Sequence, residues 1–309
     1  MSDSRNFLLC FDENYNIQAE VTISSLLENS NFKLKFYIIH DDPESFEESK
    51  KRLNSFSNLQ SIEVYKFNKR QDIVFPNFDE SHMSEATYYR LFLSDYLPRT
   101  IKNIIYIDPD VICLNNFDAM IDISFEILNN SKYVIGAKTE HYEKSDNNTS
   151  TRLELTRNKY FNAGVTFIDF EKWIDESYTE KLISHMDYMG DRVLWMDQCV
   201  LNSFLDGLYI EIPEQLNFTS RLHDKEFLLD EVVFYHFVGS RKPWTVKGVL
   251  SDGESLYQHF HKKLFNNNYH IVHRYKRDSI YQFFKLILSL KILKLKNPSI
   301  YVRNFIDSF

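Results

Sequence analysis

Two carboxylates separated by a proline follow an apolar run near the middle of the chain. We expect Ile104–Ile107 to form a buried strand, and Asp108-Pro109-Asp110 comes directly after it. Alternate residues of an extended segment point the same way, and the proline ring fixes the φ angle between the two acids. Asp108 and Asp110 should therefore reach toward one point, where like charges repel unless a cation separates them. The pair predicts a site for a divalent metal ion.

Two classes of enzyme carry this acid-x-acid pattern after an apolar strand. Phosphotransferases of the haloacid dehalogenase type use the first acid as a nucleophile, whereas nucleotide-sugar transferases use both acids to hold a metal on a diphosphate. The first class usually has Thr or Val two residues after the second acid, where this chain has Ile112, and its later Gly-Asp motif matches Gly190-Asp191 only approximately. A phosphotransferase with Asp108 as nucleophile stays open as an alternative.

Alternating strand and helix patterns must position the acids. Ahead of them we predict strands at Phe7–Phe11, Leu34–Ile39 and Ile62–Tyr65, and helices at Ile17–Leu27 and Glu44–Phe56. This alternation indicates βαβ units in a parallel or mixed sheet, and ligands of open α/β proteins bind at the carboxyl ends of the strands. The acids therefore lie where a ligand is expected.

The same kinds of element are predicted around and beyond the acids. A helix capped by Ser84 should lead through Arg90 into the acid strand. The later elements are strands at Tyr133–Ala137, Tyr160–Phe170 and Val232–Phe237, a helix from Glu171 to about Met189, and a short helix over Met196–Phe204. The polar segment Glu140–Lys159 is longer than an ordinary connection, so we predict a mobile lid there.

Composition narrows the class of protein. The chain has 309 residues, which is long enough for a substantial core. Its net charge of −8 excludes the positive surface that nucleic-acid binding requires. Three cysteines lie far apart in apolar stretches: Cys10, Cys113 and Cys199. With no signal-peptide pattern at the start, they predict a cytoplasmic protein with reduced thiols. The N-glycosylation sequons at Asn147, Asn148 and Asn217 would then carry no glycan, because glycosylation requires secretion.

Five further motifs accompany the acids in a fixed order. They are Phe11-Asp12-Glu13-Asn14-Tyr15, Ala86-Thr87-Tyr88-Tyr89-Arg90-Leu91, Tyr160-Phe161-Asn162-Ala163-Gly164-Val165, Met196-Asp197-Gln198-Cys199-Val200-Leu201-Asn202 and His236-Phe237-x-Gly239-x-x-Lys242-Pro243-Trp244. The set resembles the family 8 glycosyltransferases, which include glycogenin and the bacterial lipooligosaccharide galactosyl- and glucosyltransferases. The resemblance covers about residues 6–245. It implies transfer of galactose or glucose from a UDP-sugar to a glycan acceptor with retention of anomeric configuration.

The resemblance also implies an architecture. It predicts the GT-A fold, which is a Rossmann-like α/β fold with a mixed central sheet, followed here by a C-terminal helical tail. The catalytic domain would span residues 1–268, with a nucleotide-binding part over about 1–115 and a sugar and acceptor part over about 116–268. The basic tail would span residues 269–309.

Metal and phosphate ligands follow from the matched motifs. Asp108 and Asp110 would offer hard oxygen ligands, and His236 as third ligand would favour Mn²⁺ over the alternative, Mg²⁺. Such an ion would stabilise the charge on the UDP leaving group. Gly239 would let the backbone approach phosphate, and Lys242 would bind phosphate as a point charge. A core histidine and a solvated lysine are the structural alternatives for His236 and Lys242.

Contacts to the rest of the donor are implied in the same way. Asp12 and Asn14 fit a uracil or ribose contact, with a plain Asx turn as the alternative. Cys10 stands where the backbone of the family contacts the base, and Pro109 lies within the metal motif. Arg90 would reach the diphosphate or the donor sugar, with a salt bridge as the alternative.

Sugar recognition and catalysis are assigned to three residues. Asn162 and Asp197 would bind sugar hydroxyls, and Gln198 matches the amide that the family places beneath the sugar ring. Double displacement through a nucleophile and front-face attack with the leaving phosphate as base both stay open. His82 falls where the family contacts the acceptor, and Cys199 stands where the family often has a second Asp. A nucleotide-sugar-binding module without turnover is the non-enzymatic alternative.

The end of the chain is basic and amphipathic. From Tyr269 to Phe309 there are eight Lys/Arg and two Asp, a local charge of +6. Lys285, Lys291 and Lys294 interrupt the apolar stretch, which excludes a membrane span. Lysine next to Phe and Leu favours a peripheral position on an anionic membrane surface. A helix packed on the domain and an oligomer contact are the alternatives.

Overall fold

The alternating patterns of the first hundred residues do form βαβ units. The computed structural model describes residues 4–76, 84–140, 148–219, 229–251 and 253–309. The strands in these ranges are β1 (Ser4–Phe11), β2 (Lys33–His40), β3 (Leu59–Lys66), β4 (Asn103–Ile107), β5 (Val111–Cys113), β6 (Ile135–Thr139), β7 (Phe161–Asp169), β8 (Ile210–Glu211), β9 (Phe218–Thr219) and β10 (Phe234–His236). The predicted strands are therefore present, and their ends lie within three residues of the predicted ones.

The α-helices lie between and after the strands. They are α1 (Asn16–Glu28), α2 (Glu47–Leu53), α3 (Leu93–Tyr96), α4 (Asp118–Asn129), α5 (Thr149–Arg152), α6 (Phe170–Asp175), α7 (Tyr178–Met189), α8 (Met196–Leu205), α9 (Glu254–Phe265), α10 (Lys276–Leu288) and α11 (Pro298–Asp307). The helix predicted from Glu171 to Met189 is two helices, α6 and α7, because Ser177 between them has a φ angle of +54°. Ser84 caps the Arg90 segment as predicted, but Glu85–Phe92 is a 3₁₀ helix.

A mixed sheet of seven strands, in the order β3-β2-β1-β4-β7-β6-β8, forms the centre of the protein. Strand β1 is parallel to β2 and β4, whereas β7 is antiparallel to β4 and β6. Alternate residues enter opposite cores: Leu8 and Tyr106 pack into one apolar cluster, and Phe7 and Ile105 pack into the other. Burial on both faces explains why the strands are continuous apolar runs. The predicted α/β fold with a mixed central sheet is confirmed.

A second sheet has three strands in the order β5-β10-β9. Strand β10, which sequence analysis placed among the strands without assigning a sheet, is antiparallel to β5 and aligns His236 with Val111. The chain therefore leaves the large sheet at Ile107 and enters the small sheet at Val111. Asp108-Pro109-Asp110 is the connection between the two sheets.

The C-terminal tail is helical, as predicted, and has one buried face. Phe283 of α10 stacks on Phe305 of α11 with ring centroids 3.8 Å apart, and both belong to a cluster that includes Val246 and Tyr269. The opposite face of α10 exposes apolar side chains: Ile280, Tyr281, Phe284 and Leu288. None of the helices in the described ranges has the length and apolar character that crossing a bilayer requires. The boundary at residue 268 stays a prediction.

Candidate functional site

Asp108, Asp110 and His236 converge at the connection between the two sheets. One ligand atom from each lies within 4.8 Å of the others. His236 Nε2 is 3.1 Å from Asp110 Oδ1 and 3.7 Å from Asp108 Oδ2. The predicted set of two carboxylates and one imidazole is thus gathered in one place, on elements that are more than a hundred residues apart in sequence.

The remaining carboxylate oxygens are held by cations and a phenol. Arg90 donates to Asp108 Oδ1 at 2.8 Å, and the Tyr106 hydroxyl donates to the same oxygen at 2.6 Å. Lys242 donates to Asp110 Oδ2 and to the carbonyl of Phe237. Each carboxylate therefore has one oxygen fixed by protein donors and turns the other toward His236.

The free oxygens suit a cation. Asp110 Oδ1 is buried, accepts no hydrogen bond of good geometry from the described residues, and faces His236 Nε2 at 3.1 Å. Burial disfavours the charged carboxylate, but Lys242 and His236 outweigh it, and the pKa of Asp110 lies well below its ordinary value. An ionised, buried acceptor next to an imidazole nitrogen and a second carboxylate matches the donor set of Mn²⁺. The residues present fit a divalent ion.

The absence of a side chain at Gly164 leaves room for His236 and Asp108. It lies on β7, and its carbonyl accepts the Asp108 backbone N–H at 2.8 Å, which holds the start of the connection against the sheet. A Cβ atom at Gly164 would lie 2.1 Å from His236 Cε1 and 2.7 Å from Asp108 Oδ2. Glycine inside a strand often marks the close approach of another group, and here the approaching groups are the imidazole and carboxylate themselves.

Arg90 connects Asp108 of the predicted metal site to Asp197 of the predicted sugar site. Its side chain is buried, its Nε lies 2.8 Å from Asp197 Oδ2, and its guanidinium packs on the Tyr106 ring at 3.4 Å from the centroid. It also donates to the Ala163 carbonyl. Burial raises the pKa of Asp197 to about 7, although the positive charge of Arg90 opposes the shift. One buried cation therefore balances two acids from different parts of the predicted site.

Asp197 and Gln198 lie in the first turn of α8, directly after its strained first residue. Met196 is buried and has a φ angle of +45°, which is uncommon for a non-glycine residue. Gln198 Oε1 accepts the Ala163 N–H at 3.0 Å, and its Nε2 donates to the Tyr160 hydroxyl at 3.0 Å. Both ends of the amide are thus fixed against β7, which orients the side chain that the resemblance assigns to catalysis.

The predicted nucleotide contacts lie at the carboxyl end of β1 and in the loop after β10. Asp12 accepts the Asn14 N–H at 3.0 Å and the Ser84 hydroxyl, which is the Asx-type contact that the structural alternative predicts. Cys10 is buried and Asn14 is exposed. Gly239 has a φ angle of +80°, a conformation that favours glycine. Their roles toward a nucleotide stay predictions.

Some predicted residues lie outside the described ranges. His82 and the middle of the predicted lid, residues 141–147, are among them. The described part of the lid segment includes the short helix α5.

One polar residue at the centre of the site was not predicted from the sequence. Asn217 was noted only as a sequon, yet it is fully buried, and its Oδ1 is 3.1 Å from His236 Nδ1. Its Nδ2 donates to Asn162 Oδ1 at 3.1 Å. No local pattern around Asn217 indicates these contacts, because both partners are distant in sequence.

Sequence comparison identifies relatives over most of the chain. The profile described as "Glycosyl transferase family 8" matches residues 6–248. A lipopolysaccharide 1,2-glucosyltransferase of Escherichia coli (strain K12) is 28% identical over 255 residues, which cover 79% of this chain and 73% of the relative. A lipopolysaccharide 1,3-galactosyltransferase of Salmonella typhimurium is 25% identical over 252 residues, which cover 79% of this chain and 74% of the relative.

Structure comparison gives the same architecture. A crystal structure of the galactosyltransferase LgtC in complex with donor and acceptor sugar analogues aligns with a TM-score of 0.68. The alignment covers 84% of this chain and 96% of that one, at 19% sequence identity. At that identity the likeness extends to the fold alone.

Proposed function

This chain belongs to glycosyltransferase family 8, and we propose that it transfers a hexose from UDP-galactose or UDP-glucose to a glycan of the lipopolysaccharide type. The observation that carries the proposal is the convergence of Asp108, Asp110 and His236, with two carboxylate oxygens and one imidazole nitrogen turned toward one point. Relatives named for glucosyl transfer and for galactosyl transfer support the two donors.

The protein's own groups would bind the donor around that point. Mn²⁺ held by Asp108, Asp110 and His236 would act as a Lewis acid on the diphosphate and stabilise the charge on departing UDP. Lys242 lies beside Asp110, and its ammonium group would form an ion pair with a phosphate oxygen of the donor. The left-handed backbone at Gly239 suits a close approach to phosphate.

We propose front-face attack for the transfer step. The acceptor hydroxyl oxygen would bond to the anomeric carbon while the bond from that carbon to the β-phosphate oxygen breaks. The hydroxyl proton would pass to the departing phosphate, which preserves the anomeric configuration. The existing contacts support this route: Gln198 Oε1 already accepts the Ala163 N–H, and Asp197 is paired with Arg90. Gln198 is an amide and therefore a poor nucleophile, and the Asp197 carboxyl is engaged by the Arg90 cation.

Release of UDP from a panel of nucleotide sugars with Mn²⁺ tests this function. We expect release with UDP-galactose or UDP-glucose, and a roughly hundredfold loss in Asp110→Asn, because weaker metal binding removes about 3 kcal/mol of leaving-group stabilisation. Asp41→Asn is the matched control, since that carboxylate is exposed at the end of β2. Phosphatase activity that Asp108→Asn abolishes, without UDP release from any donor, would instead support the phosphotransferase. UDP binding without release would support a binding module.

The exposed face of α10 is proposed to lie on an anionic membrane surface. Phe284 and Leu288 are 56% and 82% exposed and one turn apart, in a segment of high positive charge. Exchanging both for serine should weaken co-sedimentation with anionic phospholipid vesicles roughly tenfold, because apolar area no longer enters the bilayer interface. The buried face of α10 is untouched by these substitutions.

Ile123 and Ile127 of α4 provide the matched control for this experiment. They are also exposed and one turn apart, and they lie outside the basic tail. Serine at both positions should leave vesicle binding unchanged. Equal binding by the α10 variant and the unmodified protein would exclude the membrane role, and an equal loss in both variants would show non-specific adsorption.

A further inference from the structure

The orientation of His236 is determined by a chain of hydrogen bonds that begins on β7. The backbone N–H of Gly164, which can only donate, lies 2.9 Å from Asn162 Oδ1. That contact identifies the Asn162 side-chain atom as the oxygen. Asn162 is therefore held with its acceptor toward the interior of the site.

The next link is Asn217. The side-chain atom of Asn217 that faces Asn162 lies 3.1 Å from Oδ1 and 3.4 Å from the backbone carbonyl oxygen. Both of these neighbours are acceptors, so the atom between them is the Nδ2 donor. The other side-chain atom of Asn217 is consequently Oδ1, and it lies 3.1 Å from His236 Nδ1.

We infer that Asn217 is a positioning residue that fixes His236 as the Nδ1–H tautomer and so presents the Nε2 lone pair to the metal. An amide oxygen can only accept, so His236 Nδ1 must carry the proton. In the neutral imidazole, which is the form that binds a metal, His236 Nε2 is then the unprotonated nitrogen, and it is the atom turned toward Asp108 and Asp110. Partners of this kind set the tautomer of metal-binding histidines in general.

The same chain connects the metal to the residue assigned to the donor sugar. No hydrogen bond within the described ranges uses Asn162 Nδ2, which leaves that group available to a sugar hydroxyl. Asn217 would therefore couple sugar contact at Asn162 to ligand orientation at His236. This coupling rests on the proposed function, whereas the tautomer does not.

Two substitutions of Asn217 separate its functions. Asn217→Leu removes the acceptor and the donor together, and we expect a 10–100-fold weaker Mn²⁺ affinity in titrations followed by electron paramagnetic resonance. Asn217→Asp keeps an acceptor for His236 Nδ1–H, so Mn²⁺ affinity should stay within about threefold of the unmodified protein. That variant loses the donor to Asn162, and its KM for the UDP-sugar should rise while kcat changes less.

Asn202→Leu is the matched control. Asn202 is also a buried amide: its Oδ1 accepts the N–H of Phe161, one residue from Asn162 on the same strand, and its Nδ2 donates to the backbone carbonyls of Phe161 and Gln198. It does not touch His236, so its loss should change Mn²⁺ affinity by less than about threefold. If Asn202→Leu weakens Mn²⁺ binding as much as Asn217→Leu, general loosening of the site explains the loss and the inference fails.

Histidine side-chain ¹H–¹⁵N spectra measure the tautomer directly, with the His236 signals assigned by their absence in His236→Gln. We expect the Nδ1–H pattern in the unmodified protein and in Asn217→Asp, and a shift toward Nε2–H in Asn217→Leu. An Nε2–H pattern in the unmodified protein would overturn the inference, as would unchanged Mn²⁺ affinity in Asn217→Leu. Absence of Mn²⁺ binding by the unmodified protein would overturn the metal-dependent function instead, and the spectra would still decide the tautomer.

Discussion

Replacing Gly164 with alanine should weaken Mn²⁺ binding about a hundredfold while the protein stays folded. The added methyl carbon would lie 2.1 Å from His236 Cε1 and 2.7 Å from Asp108 Oδ2, so the imidazole must move away from its place beside the carboxylates. Overpacking of this kind typically costs about 1–3 kcal/mol of stability, which a large domain tolerates. Mn²⁺ titration and thermal unfolding measure the two effects separately.

Gly136 offers the same substitution in the neighbouring strand. A Cβ atom there would lie 3.2 Å from Ile212 Cγ2 and 3.4 Å from Phe167 Cβ, so alanine meets apolar side chains and no metal ligand. We expect Gly136→Ala to lower stability slightly and to leave Mn²⁺ affinity unchanged. Tight Mn²⁺ binding by Gly164→Ala would contradict the assignment of His236 as a ligand.

Exchanging Arg90 for methionine should destabilise the protein by about 3–5 kcal/mol and abolish transfer. The substitution leaves Asp108 and Asp197 near each other without their shared cation, and Asp197 is almost completely buried. Urea denaturation gives the free energy of unfolding, and UDP release gives the activity. The double variant Arg90→Met with Asp197→Asn should regain much of the stability, because it removes the buried carboxyl group that has lost its cation, and should remain inactive.

Arg70 is the matched control for this prediction. It also bridges two carboxylates, Asp95 at 2.8 Å and Glu180 at 2.9 Å, but it lies at the surface. Solvent and salt screen such a pair, so Arg70→Met should cost less than about 1 kcal/mol. A cost at Arg90 as small as that at Arg70 would show that Asp197 is protonated and that the buried ion pair contributes little.

Local patterns were sufficient to predict most of the large sheet. Continuous apolar runs such as Ile104–Ile107 indicated strands buried on both faces, and helical spacing between them indicated parallel connections. Both are confirmed by β1 to β4, in which β1 is parallel to β2 and β4, and β2 is parallel to β3. The motifs also identified the family correctly, because their order along the chain is a stronger signal than any one of them.

Contacts between segments that are distant in sequence could not be predicted from these local patterns. In the separate sheet of β5, β9 and β10, strand β10 pairs with β5 across more than a hundred residues, which no local periodicity encodes. Asn217 escaped notice for the same reason, since an isolated polar residue before a short strand has no distinguishing neighbours. The individual roles of Asp12, Lys242 and Gln198 stay predictions that mutagenesis can test.

The connection between the two sheets has a consequence for the energetics of the whole protein. Asp108 lies at the end of the large sheet, whereas His236 belongs to the central strand of the small sheet, so a cation bound by both would join the two sheets. Ligand that binds only the folded arrangement adds about 2.7 kcal/mol of stability at a concentration one hundred times its dissociation constant. Metal supply would therefore govern how firmly the small sheet is held, as well as whether the enzyme turns over.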